Sequence, residues 1–323
     1  MDGIAKRLFV SLMLAAGAMA AAAADFPSKP VRLVVPFPPG GALDVVARLI
    51  SAKMHDNWRQ PVIVENRPGA AGTVGVDYVA KSAPDGHTMV LTAWSLIVAT
   101  PLLQRTPYDF TRDLVALVQT SELTYVLASS LETGVSTMGD LVALARKNPG
   151  RLNYASPGNG SGQHLYAELV KRAANIDVTH VPYKGEGPAL QALLTGEVNL
   201  FFGTTGSLNS HVRAGKIRAL MLTGTKPLEG FPNVPPMDSV YPGMGMGMTG
   251  WHGIFGPAAT PKPIVDQIAA GVRAAVLSPD LSSRFREMGF EATGTSSERF
   301  GEIVLRDYER WGQLIRENNI RGD

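Results

Sequence analysis

Along this chain, short runs of apolar β-branched residues alternate with stretches whose apolar positions are spaced by three and four, and Gly- or Pro-rich turns separate them. The first unit sets the pattern. Val31-Arg-Leu-Val-Val35 reads as a strand, Pro36–Gly41 as a loop, and Leu43, Val46, Ala47, Ile50 and Met54 as one face of a helix. Further on, 61–64 predicts a strand, 72–82 a helix closed by the turn Pro84-Asp-Gly86, and 88–92 a strand. That strand runs into Ala93-Trp94-Ser95 and a Leu/Ile/Val stretch interrupted by Pro101.

Residues 114–131 are rich in β-branched side chains, and a helix over 139–147 stops at Asn148-Pro-Gly150. Then comes a second strand, Gly-rich loop and helix: Leu152-Asn-Tyr-Ala-Ser-Pro-Gly-Asn-Gly-Ser-Gly162, followed by a helix from Gln163 to about Ala173. A Gly/Pro-bounded loop at 181–188 precedes a helix over 189–195, a buried strand over 196–205 and a strand over 217–223. Gly250–Pro257 reads as a strand crossing to another region. A helix capped by Thr260 follows it, and an amphipathic helix over 297–318 closes the chain. Strand alternating with helix predicts parallel α/β sheets, whose ligands lie beyond the carboxyl ends of the strands.

Composition narrows the setting. Lys6 and Arg7 precede an apolar, alanine-rich run to Ala24, ending in the small residues Ala22-Ala23-Ala24. Residues 1–24 are therefore expected to be a secretory signal peptide, which places the mature chain in the periplasm; a permanent membrane anchor is the weaker reading. The roughly 300 residues that remain are enough for two domains. There is no cysteine, so no disulfide or thiolate chemistry is available. A formal charge of +2 with no basic block leaves no electrostatic footprint for nucleic acid.

Strand, Gly-rich turn and helix N-terminus together present free backbone N–H groups and the positive end of a helix dipole, a setting that binds anions. For Pro36–Asp44 alone, an ordinary strand-to-helix connection is the leading reading. A second such loop at Ser156–Ser161, facing it from another domain, would complete a carboxylate or phosphate trap. Ser156 or Ser161 can cap the following helix or donate to an anion. Lys184 can reach an anion or be a solvated lysine; Trp94, Tyr183 and Trp251 can stack on a ligand or pack in the core. His164 is the only one of the six histidines beside a candidate loop, and reads chiefly as a helix-start or packing residue. Catalytic signatures are missing. Gly215-Lys216-Ile217 is not a Walker loop, Ser161 lacks nucleophile-elbow spacing, and Met244-Gly-Met-Gly-Met248 has no His or Cys beside it to make a metal site. The chain is expected to be neither an enzyme nor a holder of a cofactor or metal.

Six segments carry a family resemblance: Val35-Pro-Phe-Pro-Pro-Gly-Gly41 with Asp44, Val64-Glu-Asn-Arg-Pro-Gly-Ala-Ala-Gly72, Pro84-Asp-Gly86, Ser156-Pro-Gly-Asn-Gly-Ser-Gly-Gln-His164, Val181-Pro-Tyr-Lys-Gly185 and Gly256-Pro-Ala-Ala-Thr-Pro261. In this order they resemble the substrate-binding proteins of tripartite tricarboxylate transporters, the Bordetella uptake gene family. The resemblance implies a periplasmic clamshell of two α/β domains joined by two crossing strands. One domain would combine 25–123 with 249–323, and the other would span 124–248. It implies that Phe37, Pro39, Gly40, Gly41 and Asp44 grip a ligand carboxylate together with Ser156, Gly158, Gly160, Ser161 and His164, largely through backbone amides and ordered waters. Variable positions, here Ala93, Trp94, Ser95, Tyr183, Lys184 and Gly203-Thr204-Thr205, would read the far end of the ligand. The implied partners are a small organic acid and the membrane subunits of the transporter, with the receptor itself a monomer. Trp94 is bulkier than is frequent at its place, and Gly203-Thr204-Thr205 offers no carboxylate for an amino group. The expected ligand is thus an acid without a cationic amine, an aromatic or aliphatic dicarboxylate. A ligand-presenting accessory of a signalling sensor shares all these residues, and an exported α/β hydrolase is the remaining competitor.

Overall fold

A computed structural model describes residues 26–320; the expected leader lies outside them. The first strands and helices follow the hydrophobic spacing: β1 (Val31–Val35), α1 (Ala42–Trp58), β2 (Val62–Asn66), α2 (Thr73–Ala80) and β3 (Thr88–Ala93). All of β1 except Arg32 is buried, as a strand covered by helices on both faces requires. Its helix α1 buries Leu43, Val46, Ala47, Ile50 and Met54, the positions the spacing predicts. Beyond β3 the Leu/Ile/Val stretch is helical. Ser95–Ala99 winds as a π-helix and runs into Thr100–Leu103. Pro101 lies inside this continuous helix and has no N–H to donate, and the Tyr108 hydroxyl supplies a donor to Leu96 O.

β4 (Leu114–Leu123) and β5 (Tyr125–Ser130) are separated only by Thr124. There follow α3 (Met138–Lys147), β6 (Leu152–Ser156), α4 (Gly162–Ala174), β7 (Val178–Pro182), α5 (Glu186–Thr195), β8 (Leu200–Thr204), α6 (Thr205–Arg213) and β9 (Ile217–Leu222). β10 (Gly250–Pro257), α7 (Lys262–Val276), α8 (Pro279–Glu287), β11 (Phe290–Ala292) and α9 (Ser297–Glu317) complete the chain. The spacing did not disclose four of these: β7, α6, α8 and β11. In α8 only Leu281 and Phe285 are buried, too few positions to define a stripe.

The strands form two sheets. One has the order β11-β4-β10-β3-β1-β2, the other β7-β6-β8-β5-β9. In the first, β1, β2 and β3 run parallel, while β10 runs antiparallel to both β3 and β4. In the second, β6 is parallel to β7 and β8, and β5 is antiparallel to β8 and β9. The carboxyl ends of β1, β3 and β4 therefore lie at the same edge of their sheet as Gly250, which opens β10. The chain leaves the first sheet through Thr124 and returns through Thr249, so this edge faces the second sheet.

All eight residues of β10 are buried. Trp251 Nε1 donates to Asp307 Oδ2 on α9 at 2.9 Å, and Arg306 pairs with the same carboxylate. The His252 ring is buried beside Ser121, 3.1 Å from its hydroxyl, and burial lowers its pKa to about 4. An unfolded imidazole takes up its proton near pH 6.5, so the unfolded state gains protons first as pH falls. Stability is expected to hold above pH 6.5 and to decline toward pH 4, by on the order of 3 kcal/mol for a fully buried group. Calorimetric unfolding midpoints across that window check this. The slope should shrink in His252→Gln.

Candidate functional site

Two strand-to-helix loops stand at the facing edges. After β1, Pro36–Gly41 leads to α1; Gly41 is its N-cap, and no side chain caps it. Asp44, in the first turn, is 3 % exposed and bonded on both oxygens. Oδ2 accepts from Gly40 N–H at 3.0 Å and Arg48 Nε at 2.9 Å; Oδ1 accepts from Asn66 Nδ2 at 2.9 Å and the Arg48 guanidinium at 3.1 Å. Burial acts to raise the Asp44 pKa, but the bonds from Arg48, Gly40 and Asn66 outweigh it and the net shift is downward. With its oxygens engaged by four donors, this carboxylate is committed to the loop. It shapes Gly40 and holds α1 to β2, a structural role that the sequence did not show. Asn66, which the sequence reading passed over, also donates to Phe37 O. The next loop adds two αL residues without a glycine's freedom, Ala70 (φ 45°) and Ala71 (φ 54°), between Gly69 and Gly72. Such strain persists only where the surroundings hold it.

In the second sheet, the loop after β6 folds onto itself. Ser161 caps α4, its hydroxyl accepting from His164 N–H, and Ser161 N–H donates to Gly158 O. Gly158 (φ 138°) and Gly160 (φ 73°) take backbone conformations that other residues rarely adopt. Ser156 is fully buried, and its hydroxyl bonds Gly158 and lies 2.7 Å from His180 Nε2. Gly160 N–H donates to His164 Nδ1 at 3.1 Å. Ser156, through its hydroxyl, and His164, through Nδ1, thus shape the loop. The neighbouring loop is zipped onto this one by Tyr183 N–H to Ser156 O and Gly185 N–H to Pro157 O.

Trp94 joins the two sides. Its indole is 1 % exposed, stacks on Trp311 at 4.7 Å between centroids, and lies 3.4 Å from the Tyr125 hydroxyl. A Cβ on Gly162 or on Gly250 would come within 2.9 Å of this ring, so both glycines make room for it. The α4 N-terminus therefore lies against the residue that follows β3. β1, with its Phe37–Gly41 loop, is the next strand over, so the structure brings the two anion-type loops to the same side of the crossing strands. Buried as it is, the Trp94 ring cannot stack on a ligand's far end, which removes the aromatic argument made from sequence. Ala93 and Ser95, partly exposed, flank it at the facing edge.

Other expected specificity residues lie elsewhere. The Tyr183 hydroxyl donates to Glu197 at 2.6 Å, and Lys184 is exposed. Thr204 caps α6. Thr205 Oγ1 donates to Gly289 O, between α8 and β11. In the sheet order β11 and β3 are separated by β4 and β10, so Thr205 lies on the opposite side of the crossing strands from Trp94. There it lines an open groove of about 1510 Å³ that no other expected site residue borders. One carboxylate was missed. Glu186, opening α5, accepts from Thr204 N–H and Ser207 Oγ, both at 2.7 Å. A carboxylate does stand at Gly203–Thr205, so the sequence argument against an amino group there fails. No signal local to 203–205 could have shown it.

With this geometry, the chain from residue 46 to 320 matches the family model of the tripartite tricarboxylate transporter family receptor. The chain belongs to that family. Among its relatives is a protein from Pseudomonas sp. (strain P51), the UPF0065 protein in the tcbD-tcbE intergenic region. It is 35 % identical over 298 residues, 92 % of this receptor and 89 % of the relative. Protein BugT of Bordetella pertussis is 31 % identical over 310 residues, 95 % and 94 % of the two chains. Among solved structures, Rpa4515 of R. palustris with adipate superposes with a TM-score of 0.82 at 31 % identity, covering 92 % of this receptor and 99 % of that chain. MatC (Rpa3494) from Rhodopseudomonas palustris, with bound malate, gives 0.80 at 30 % identity, over 90 % and 100 %. The periplasmic binding protein BugD gives 0.80 at 28 %, over 92 % and 99 %. The receptor has the two-domain α/β clamshell fold of periplasmic binding proteins, and its structural neighbours are binding proteins, not enzymes. Among the described residues no helix is long and apolar enough to cross a membrane, and no group of acidic and histidine side chains is placed to hold a metal.

Truncating the wedge between the two sides should be costly. Trp94→Ala is expected to lower stability by about 3–5 kcal/mol, the range for deleting a buried aromatic ring. Denaturant unfolding measures this; a loss below about 1 kcal/mol would contradict the packing role.

Proposed function

We propose that this receptor captures a small organic acid in the periplasm and delivers it to the membrane subunits of a tripartite tricarboxylate transporter, without catalysing a reaction and as a monomer. One observation carries the reading: the N-terminus of α4 packs through Gly162 on Trp94, the residue that follows β3, and β3 is the sheet neighbour of β1, whose Phe37–Gly41 loop leads into α1. The bodies that close on the ligand are, in this reading, 25–123 with 249–323 against 124–248.

The grip is made by backbone. The first-turn amides of α1 and α4 face the carboxylate, framed by the backbone of Phe37, Pro39, Gly41 and the Gly158–Ser161 loop. The N–H groups of Gly40, Gly158 and Gly160 are themselves bonded to Asp44, Ser156 and His164, and Ala93 and Ser95 border the site. Asp44, Ser156, Ser161 and His164 hold those amides in place. Charge-assisted hydrogen bonds of this kind contribute about 1.5–3 kcal/mol each, so two or three from opposite domains suffice to favour the closed form. The acids bound by the two Rhodopseudomonas neighbours, adipate and malate, support an aliphatic dicarboxylate rather than an aromatic one. The buried Trp94 ring supports the same choice.

Calorimetric titration with adipate, malate, benzoate and aspartate tests the ligand class. A dicarboxylate without an amine is expected to bind most tightly, and tight binding of aspartate alone would overturn that class. Asp44→Asn and Ser161→Ala are each expected to weaken the best ligand about tenfold. Ser161→Ala should lower stability by no more than the ~1 kcal/mol typical of a lost cap, and Asp44→Asn, which weakens buried bonds to Arg48, by about 1–3 kcal/mol. Unchanged affinity in both variants would contradict the site.

A further inference from the structure

Behind the Ser156–Ser161 loop is a stack of rings that the sequence reading did not foresee. His180 of β7 lies between Tyr154 of β6 and His164 of α4, with centroids 4.7 Å from the first and 4.3 Å from the second and planes within 16°. Each imidazole holds one end of the loop. His180 Nε2 is 2.7 Å from the Ser156 hydroxyl, which itself bonds Gly158 N–H and Gly158 O. His164 Nδ1 accepts from Gly160 N–H at 3.1 Å.

The second bond fixes a protonation state. A backbone N–H only donates, so Nδ1 of His164 must carry its lone pair, and the ring is neutral whenever this bond exists. A proton added at Nδ1 converts the acceptor to a donor that faces another donor, and the bond is lost. The ring stack opposes a second charge as well. Burial first, and then His164 beside it, push the His180 pKa down to about 4. The other charged groups near the stack, Glu168 and Lys171 of α4, are paired with each other at 2.6 Å, and Glu168 also accepts from the Tyr154 hydroxyl at 2.7 Å.

We infer that His164, supported by His180, is a proton-sensitive positioning residue: its neutral ring holds Gly160 in the shape that receives a carboxylate, and protonation at Nδ1 releases the loop. The inference rests on the reading of this loop as half of a carboxylate grip. Imidazoles change charge between about pH 5 and 8, so ligand retention becomes sensitive to the acidity of the compartment.

The test uses the ¹⁵N-labelled, ligand-free receptor and follows the Gly160 amide from pH 8 to 5. Its resonance is expected to titrate with one midpoint, moving together with the His164 ring signals. The partner measurement is adipate affinity at pH 8 and pH 5.5 in wild type and in His164→Gln, whose side-chain carbonyl accepts from Gly160 but cannot titrate. Protonation of adipate is common to both proteins, so only their difference counts. The wild type should lose about tenfold more affinity than the variant. A Gly160 amide that does not titrate, or an identical pH profile in the two proteins, overturns the inference. If adipate binds neither protein at pH 8, the assumed ligand fails instead, and the wild-type amide titration still decides the role of His164.

Discussion

The arrangement of this receptor depends on one contact, the indole of Trp94 lodged between Gly162 and Gly250. The ring comes from the helical turn after β3, Gly162 opens α4 in the other sheet, and Gly250 begins the strand that returns from it. Neither glycine has space for a methyl group there, so the backbone of one domain rests directly on an aromatic face of the other. Trp311 of α9 and Tyr125 of β5 extend the cluster from two further elements, with Tyr166 one turn along α4, and the Tyr166 hydroxyl reaches Met248 O beside the return crossing. Buried aromatic area of this size gives a rigid reference between the sheets. The two anion-type loops inherit their relative position from it.

A division of labour follows between backbone and side chain. Backbone amides at a helix N-terminus are strong donors only if the loop is already in shape, because ordering it on binding would reduce affinity. The polar side chains near the loops supply that order. Asp44 ties Gly40 to Arg48 and Asn66, Ser161 caps α4, and Ser156 with the two histidines braces Gly158 and Gly160. Residues that look like ligand donors in a list of polar groups therefore act one step back. Glu186 is used in the same way, its carboxylate accepting from Thr204 N–H and the Ser207 hydroxyl where α5 begins.

Much of the fold was legible in the sequence because its signals are local. β1 and α1 could be read from Val31–Val35 and the Leu43–Met54 stripe, and the Gly-rich loops could be placed at strand ends. What escaped depends on contacts between distant segments. β7 is a five-residue strand with Thr179 and His180 inside it, identifiable only once β6 lies alongside. Trp94 has the same local sequence whether it faces a ligand or a core, and only Trp311, more than two hundred positions later, decides between them. Glu186 meets Thr204 because α5 starts where β8 ends, a fact of sheet order rather than spacing.

The same sheet order constrains how the clamshell is held together. The domains touch on both sides of the crossings: Trp94 meets Gly162 on one, while Thr205 and Gly206 meet Met288 and Gly289 on the other. The second contact is backbone against backbone, since a Cβ on Gly206 would overlap the Met288 carbonyl. Neither contact leaves room for an added methyl group. Interiors packed this tightly behave as stops, not springs. The two sheets are thus held at two tight points, Gly162 on Trp94 and Gly206 on Gly289, and the backbone at both has to be glycine.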